Sequence, residues 1–162
     1  MKNILLVCTG NTCRSPMAEA MLDNAVENSD VLDGEIKTDS AGTFAFEGGE
    51  PANYAKLAMN EIDLSIDKHK SKQIDRDLAE WADLILAMDS AVQEQLAVMY
   101  PEFEDKIKLL KEYVFGTDAE EDSLNIEDPY GEDLETYQET RDDIKNTIDA
   151  LVKKLERENK EI

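Results

Sequence analysis

The sequence Asn3-Ile-Leu-Leu-Val-Cys8-Thr-Gly-Asn-Thr-Cys-Arg14-Ser15-Pro16 places an apolar run directly before a short polar loop and a helix start. A strand that leads through such a loop into a helix aims backbone N–H groups and the helix N-terminus at one point, which is how proteins hold a phosphate-sized anion. Cys8 opens the loop and Arg14 closes it, and this positive surrounding favours the thiolate form of the cysteine. The stretch therefore predicts the first strand–helix unit of a parallel sheet and an anion site that contains a nucleophile.

Four loop residues have predicted conformational roles. Ser15 belongs to the residue types that cap helices, and Pro16 suits the first helical position, where no N–H donor is needed. Gly10 and Asn11 are the types that best tolerate a left-handed backbone. An ordinary strand-to-helix turn with a buried cysteine is the alternative interpretation of the same residues.

The rest of the chain alternates short apolar runs with amphipathic segments. This alternation predicts an α/β domain with a parallel sheet, helices on both faces, and ligands bound beyond the carboxyl ends of the strands. The predicted strands are residues 3–8, 36–41, 83–87 and 107–110, and the predicted helices are 16–28, a segment from 51, 75–81, a segment capped by Ser90 that ends at Pro101, and 134–158. Ala25 and Met99 are expected on the buried faces of their helices, and Trp81 in the core.

A length of 162 residues suits one compact domain, which we expect to span residues 1–162. The apolar run after Lys2 is too short for a signal peptide, and no stretch is long enough to cross a bilayer. Cys8 and Cys13 are the only two cysteines, which excludes a structural disulfide framework and fits a reducing compartment. We therefore expect a cytoplasmic protein.

The formal net charge is −21, and such a field repels nucleic acid and anionic membranes. Residues 118–135 contain nine acidic residues and no Lys or Arg, a pattern that usually marks a solvated loop. The chain has no His/Cys cluster of metal-ligand spacing, so the sequence predicts no metal site and no cofactor.

The segment Val7-Cys-Thr-Gly-Asn-Thr-Cys-Arg-Ser-Pro-Met-Ala-Glu19 resembles the signature of the low-molecular-weight protein-tyrosine phosphatase family. The likeness continues through Asp39-Ser-Ala-Gly-Thr43, Ala82-Asp-Leu-Ile-Leu-Ala-Met-Asp89 and Asp128-Pro-Tyr130, so it covers nearly the whole chain. The resemblance implies a single three-layer domain with a four-stranded parallel sheet in the order 2-1-3-4.

The resemblance also implies roles for individual residues. Cys8 is the expected nucleophile, Arg14 the phosphate clamp and Asp128 the general acid, with Glu127 as the second candidate for the acid. Asp-Pro is also an ordinary turn starter, so this part of the motif is weak when taken alone. The expected phosphate-binding residues are Thr9, Gly10, Asn11, Thr12, Cys13, Arg14 and Ser15.

Other residues are expected to support the site or to select the substrate. Asn11, Ser15 and His69 are assigned to a supporting network, in which Ser15 is also expected to donate a hydrogen bond to the Cys8 thiolate. Tyr130 is assigned to the mouth of the pocket. Cys13 is either a partner for Cys8 in a reversible disulfide or a small buried side chain. Thr12 departs from tyrosine-directed members, which usually carry a bulky aliphatic residue there, and is similar to the bacterial protein-arginine phosphatase branch.

The sequence thus predicts an enzyme that hydrolyses phosphoarginine or phosphotyrosine on phosphorylated proteins through a phosphocysteine, as a monomer or weak dimer that binds neither nucleic acid nor membranes. A general tyrosine phosphatase is the main alternative. An arsenate reductase would need cysteines outside the loop, and this chain has none. A non-catalytic phosphate-binding module would not need all of Cys8, Arg14 and Asp128, and a pure redox sensor would not need Asp128.

Overall fold

Four parallel strands form one sheet in the order β2-β1-β3-β4 in the computed structural model, which describes residues 1–117 and 121–161. Leu6 in the central strand pairs with Ser40 on one side and with Leu86 on the other. The predicted parallel sheet and its order are confirmed. The strands are β1 (Lys2–Cys8), β2 (Ile36–Gly42), β3 (Leu84–Ala87) and β4 (Ile107–Leu109).

The connections between the strands are helical. The helices are α1 (Arg14–Glu27), α2 (Asn53–Asn60), α3 (Arg76–Trp81), α4 (Ser90–Met99), α5 (Leu110–Phe115) and α6 (Leu134–Lys160), with 3-10 helices at Pro101–Lys106 and Glu121–Leu124. The helix α5 was not predicted from the sequence, and its first residue, Leu110, was predicted as the end of the last strand. A strand and a helix that follow each other without a polar break give no local boundary signal.

Alternate residues of β1 face two separate cores. Ile4 and Leu6 pack with α1, α2 and α6, whereas Leu5 and Val7 pack with α3 and α4. All four side chains are fully buried. Side chains of successive strand residues point to opposite faces, so this pattern places helices on both sides of the sheet, as predicted.

Both predicted serine caps are wrong. The helix α1 begins at Arg14, and Cys13 at its N-cap makes no side-chain capping bond, so Pro16 is the third helical residue instead of the first. The helix α4 is capped by Asp89, whose Oδ1 accepts a hydrogen bond from the Val92 N–H at 2.8 Å.

Three of the predicted buried positions need correction. Val26 is buried in α1 where Ala25 was expected, and Tyr100 takes the place of Met99, which is 39% exposed. Trp81 is half-buried at the margin of the second core. These three positions lie near helix ends, where the face of the helix that packs on the core no longer coincides with the row of apolar residues in the sequence.

Part of the predicted acidic loop, residues 118–120, lies outside the described residues. Glu127, Asp128, Glu132 and Asp133 are exposed, as expected of a solvated segment. No helix within residues 1–117 and 121–161 is both long and apolar enough to cross a membrane.

Candidate active site

The loop between β1 and α1 is bonded along one side to the segment that follows β2. The Cys8 carbonyl accepts a hydrogen bond from the Thr43 N–H at 3.0 Å, and the Thr9 carbonyl accepts one from the Phe44 N–H at 2.9 Å. Further along, the Thr12 carbonyl accepts from the Ala52 N–H at 3.0 Å. These bonds fix the loop backbone without using the N–H groups that a bound anion would need.

Gly42 allows this close approach. A Cβ at position 42 would lie 2.3 Å from the Thr9 carbonyl oxygen, so no side chain fits there. Of the two residues expected in a left-handed conformation, Asn11 adopts it, with φ at 57°, and Gly10 does not. A short polar side chain that bonds locally makes Asn one of the few residue types that occupy this region.

Cys8 Sγ lies among hydrogen-bond donors at the base of the loop. It accepts a bond from the Asn11 N–H at 3.2 Å and lies 2.9 Å from Ser15 Oγ. Ser15 Oγ also accepts a hydrogen bond from Asn11 Nδ2 at 2.8 Å, which leaves its own proton for the sulfur. Ser15 therefore bonds to Cys8 instead of capping α1, and these donors stabilise a negative charge on the sulfur.

Asn11 is fully buried and every polar group of its side chain is bonded. Nδ2 donates to Ser40 Oγ at 3.0 Å as well as to Ser15, and Oδ1 accepts from the Lys72 N–H at 3.0 Å. The Asn11 carbonyl lies 2.8 Å from His69 Nε2. Of the residues assigned to the supporting network, Asn11 thus contacts both others, Ser15 through its side chain and His69 through its carbonyl.

A half-buried carboxyl group, that of Glu19, closes this network. Ser40 Oγ donates to Glu19 Oε2 at 2.6 Å, and His69 Nδ1 lies 4.0 Å from the same oxygen. Burial raises the pKa of Glu19 to about 7, and burial lowers the pKa of His69. A neutral His69 that donates its Nε2 proton to the Asn11 carbonyl fits this arrangement.

Arg14 is almost fully buried below the loop. Its Nη1 donates to Asp89 Oδ2 at 2.6 Å and to the Ile126 carbonyl at 3.0 Å, and its Nη2 lies 3.7 Å from Asp128 Oδ2. Burial works to lower the pKa of the guanidinium, but Cys8 and the two carboxylates more than offset it and raise the pKa overall. Arg14 is therefore a fixed positive charge with Nη2 free of any close acceptor among the described residues.

Asp128 lies at the rim, with its side chain 48% exposed. Its Oδ1 accepts a hydrogen bond from the Tyr130 N–H at 3.1 Å, so the ordinary Asp-Pro turn is present. Asp128 thus forms the Asp-Pro turn and also lies close to Arg14. The interpretation of the motif as a turn is therefore compatible with its interpretation as the site of the general acid.

One cavity of about 440 Å³ brings most of the predicted site residues together. The cavity is not lined by Asn11, Ser15 or His69, which is consistent with their position in the network behind the loop. Phe44 and Phe46, which are 78% and 83% exposed, also line the cavity and were not predicted; two aromatic residues shortly before the Gly48-Gly49 pair were the available signal. The lining residues are Cys8, Thr9, Gly10, Thr12, Cys13, Arg14, Phe44, Phe46, Gly49, Ser71, Asp128 and Tyr130.

Cys13 is buried at the cavity edge, and its Sγ lies 3.4 Å from Tyr137 Oη on α6. Burial raises the pKa of the Cys13 thiol, although hydrogen bonds to Tyr137 and Thr12 oppose the rise. Both cysteines are free thiols. In the part of the chain that the structure describes, no three His, Cys, Asp or Glu side chains form a group that could hold a metal ion.

The profile of the low molecular weight phosphotyrosine protein phosphatases matches residues 3–161. The chain belongs to this family. It is similar to a protein-arginine-phosphatase of Geobacillus stearothermophilus, with 41% identity over 155 residues that cover 96% of this chain and 97% of the relative. The homologues are phosphatases, and this chain is a protein phosphatase as well.

Two solved structures are similar to this phosphatase over nearly its full length. The YwlE arginine phosphatase from Geobacillus stearothermophilus has a TM-score of 0.89 at 38% identity and covers 99% of this chain and 97% of its own. A low molecular weight protein tyrosine phosphatase from T. tengcongensis has a TM-score of 0.83 at 37% identity, with coverage of 95% and 99%. Similarity over the whole chain therefore establishes the family but does not distinguish phosphoarginine from phosphotyrosine as the substrate. That preference depends on the residues that line the cavity.

Proposed function

We propose that this phosphatase removes phosphate from phosphoarginine on proteins through a phosphocysteine at Cys8. The observation that carries the proposal is the placement of Cys8 Sγ beside the Asn11 N–H and Ser15 hydroxyl, in a cavity that Arg14 and Asp128 also line. A buried sulfur with two donors, beside a fixed guanidinium, suits in-line attack on a phosphoryl group.

In the first step, the Cys8 sulfur forms a bond to phosphorus as the phosphorus–nitrogen bond breaks. Asp128 gives its proton to the departing arginine nitrogen, so arginine leaves with the electron pair of that bond and one proton. The uncapped start of α1 and Arg14 hold the phosphoryl oxygens, because helix N-termini and planar guanidinium groups both suit phosphate.

In the second step, water attacks the phosphocysteine. Asp128 accepts a proton from the water, the sulfur–phosphorus bond breaks, and the thiolate and inorganic phosphate are released. The same carboxyl group thus ends the cycle protonated, ready for the next leaving group. The exposed position of Asp128 allows it to contact first the leaving group and then water.

Thr12 supports phosphoarginine as the substrate. Its half-buried side chain lines the cavity, and its hydroxyl has one contact among the described residues, Cys13 Sγ at 3.7 Å. The hydroxyl therefore retains the capacity to bond a polar guanidinium group, which an aliphatic side chain lacks. The relative named protein-arginine-phosphatase supports the same assignment.

Phosphotyrosine is the second candidate, because Phe44, Phe46 and Tyr130 line the cavity and suit an aromatic ring. Initial rates on phosphoarginine and phosphotyrosine peptides of identical flanking sequence distinguish the two. We expect a higher kcat/KM for the phosphoarginine peptide. A preference for phosphotyrosine would replace the arginine assignment and leave the phosphocysteine mechanism in place.

We further propose that residues 1–162 act as one catalytic domain in a reducing compartment such as the cytoplasm. The thiol chemistry proposed for Cys8 supports this, since an oxidising compartment would promote a disulfide between Cys8 and the nearby Cys13. A monomer or weak dimer remains our prediction for the oligomeric state, and sedimentation at several protein concentrations tests it.

A further inference from the structure

The segment before Asp128 is attached to the start of α4 through Asn125. Asn125 Oδ1 accepts a hydrogen bond from the Ser90 N–H at 2.9 Å. The next residue, Ile126, is fully buried, and its N–H donates to the Met88 carbonyl at 2.9 Å. Residues 125–126 are therefore fixed to the segment that joins β3 to α4.

Asp128 has few contacts of its own that could fix its carboxyl group. Among the described residues, the half-exposed side chain accepts one hydrogen bond, from Tyr130 inside its own turn, and its distance of 3.7 Å to Arg14 exceeds a hydrogen bond. Its position therefore depends on the backbone on either side, which Asn125 and Ile126 hold before it and the buried Pro129 holds after it.

The segment that joins β3 to α4 also positions Arg14. Asp89, between Met88 and Ser90, holds Arg14 Nη1 at 2.6 Å while it caps α4. The Ile126 carbonyl accepts a second bond from Arg14 Nη1. The guanidinium and the acid-bearing loop are thus both attached to residues 88–90.

We propose that Asn125 is a positioning residue that holds Asp128 against the leaving group through the Ser90 N–H. This rests on the proposed function, since it requires Asp128 to be the general acid. Ser90 is the first residue of α4, whose N–H has no acceptor within the helix, and Asn125 supplies that acceptor. Without this bond, Ile126 alone holds the segment before Asp128 to residues 88–90, and the carboxyl group can move relative to the reacting bond.

The test measures kcat/KM for phenyl phosphates of increasing leaving-group pKa. Asn125→Ala removes the acceptor, and Asn125→Leu removes it at similar size in case the alanine variant fails to fold. We expect a loss of roughly 10- to 100-fold for phenyl phosphate, as for a small misplacement of a catalytic group, and little loss for p-nitrophenyl phosphate. Asn125→Asp keeps an acceptor for Ser90 and should restore most of the rate.

A matched control is Asn159→Ala at the far end of α6. Asn159 is also half-buried, and its side chain likewise bonds to a backbone group, with Nδ2 donating to the Val31 carbonyl at 3.0 Å. Its loss should leave the dependence on leaving group unchanged. A similar change in this control would assign the Asn125 effect to general destabilisation and overturn the proposal.

A double-mutant cycle separates this proposal from the function on which it rests. In an Asp128→Asn background, Asn125→Ala should cause no further loss of kcat/KM on phenyl phosphate. Asn125 acts only by positioning the Asp128 carboxyl group, so it has no effect once that proton donor is gone. If Asp128→Asn makes the rates more sensitive to the leaving group while Asn125→Ala slows all substrates equally, the role of Asn125 is overturned and Asp128 remains the acid. If Asp128→Asn leaves that sensitivity unchanged, both assignments are overturned.

Discussion

Asp89 Oδ2 lies 2.6 Å from Arg14 Nη1, while Asp89 Oδ1 caps α4 through the Val92 N–H. One carboxylate thereby fixes the guanidinium to the N-terminus of a helix on the opposite face of the sheet. Arg14 is 2% exposed and Asp89 22%, so solvent screens this pair little. The orientation of Arg14 towards a phosphate therefore depends on the β3–α4 junction as well as on its own loop.

The first prediction separates the two roles of Asp89. Asp89→Ser keeps a capping hydroxyl and removes the ion pair, so kcat/KM should fall about 100-fold as Arg14 loses its orientation. Asp89→Ala should lose similar activity and a further ~1 kcal/mol in the free energy of unfolding, because the cap is lost as well. Steady-state kinetics and urea unfolding measure these effects; wild-type kcat/KM in Asp89→Ser would show that the ion pair does not orient Arg14.

The second prediction concerns the nucleophile. Cys8→Ser should abolish turnover of p-nitrophenyl phosphate but still bind vanadate, because the loop N–H groups and Arg14 remain. Cys13→Ser is the matched control, since Cys13 is equally buried and should retain turnover. Substantial activity in Cys8→Ser would contradict the covalent mechanism.

The third prediction tests the substrate. Thr12→Ile removes a hydroxyl from the cavity wall, and the loss of one polar contact is worth about 1–3 kcal/mol. The ratio of phosphoarginine to phosphotyrosine kcat/KM should therefore fall roughly tenfold to a hundredfold. Thr12→Ser keeps the hydroxyl and should preserve the ratio. If Thr12→Ile leaves the ratio unchanged, Thr12 does not select the substrate.

The strand–loop–helix unit could be predicted because its signals are local: an apolar run, the loop from Cys8 to Arg14, and Pro16. The strand order came from the family resemblance, which covers the whole chain. Contacts between distant residues gave no such signal. Asp89 is 75 residues from Arg14, and Asn125 is 35 residues from Ser90, so neither role was visible in a local pattern.

The cap at Ser15 was predicted wrongly for a different reason. A serine before a helix has one hydroxyl, and local pattern assigns it to the helix N–H groups. In the folded chain, Cys8 Sγ and Asn11 Nδ2 reach that hydroxyl first. Both partners belong to the same loop, so the competition is decided by the conformation of that loop, which a capping rule does not contain.

The fourth prediction concerns oxidation. Peroxide should inactivate the enzyme reversibly through a Cys8–Cys13 disulfide, whereas Cys13→Ser should be lost irreversibly to higher oxides of Cys8. Recovery of activity with added thiol, together with the mass of the intact protein, measures the outcome. Equal recovery of both forms would remove Cys13 from the oxidation chemistry.

The fifth prediction concerns pH and stability. Burial raises the pKa of Glu19 from 4.5 to about 7, so the folded protein binds one more proton than the unfolded chain between these values. The free energy of unfolding that this proton contributes is fully present below the ordinary pKa of 4.5. It is lost as the pH rises through about 7. Glu19→Gln should therefore gain about 1–3 kcal/mol over wild type between pH of about 5 and about 8.

Urea unfolding at the two pH values measures this gain. Glu139→Gln on the exposed face of α6 is the control, and its stability relative to wild type should change little over the same range. An equal gain in both variants would indicate a general effect of net charge, in place of a specific effect of the half-buried Glu19 carboxyl group.

The bonds from Thr43 and Phe44 to the Cys8 and Thr9 carbonyls continue the pairing of β1 with β2 past the end of the sheet. Opening the loop therefore requires breaking part of the sheet edge, where Gly42 admits no side chain. The backbone order that phosphate binding requires is established during folding, so little conformational entropy remains to be lost when the anion arrives. Occupancy of the loop is accordingly coupled to the global unfolding of the domain.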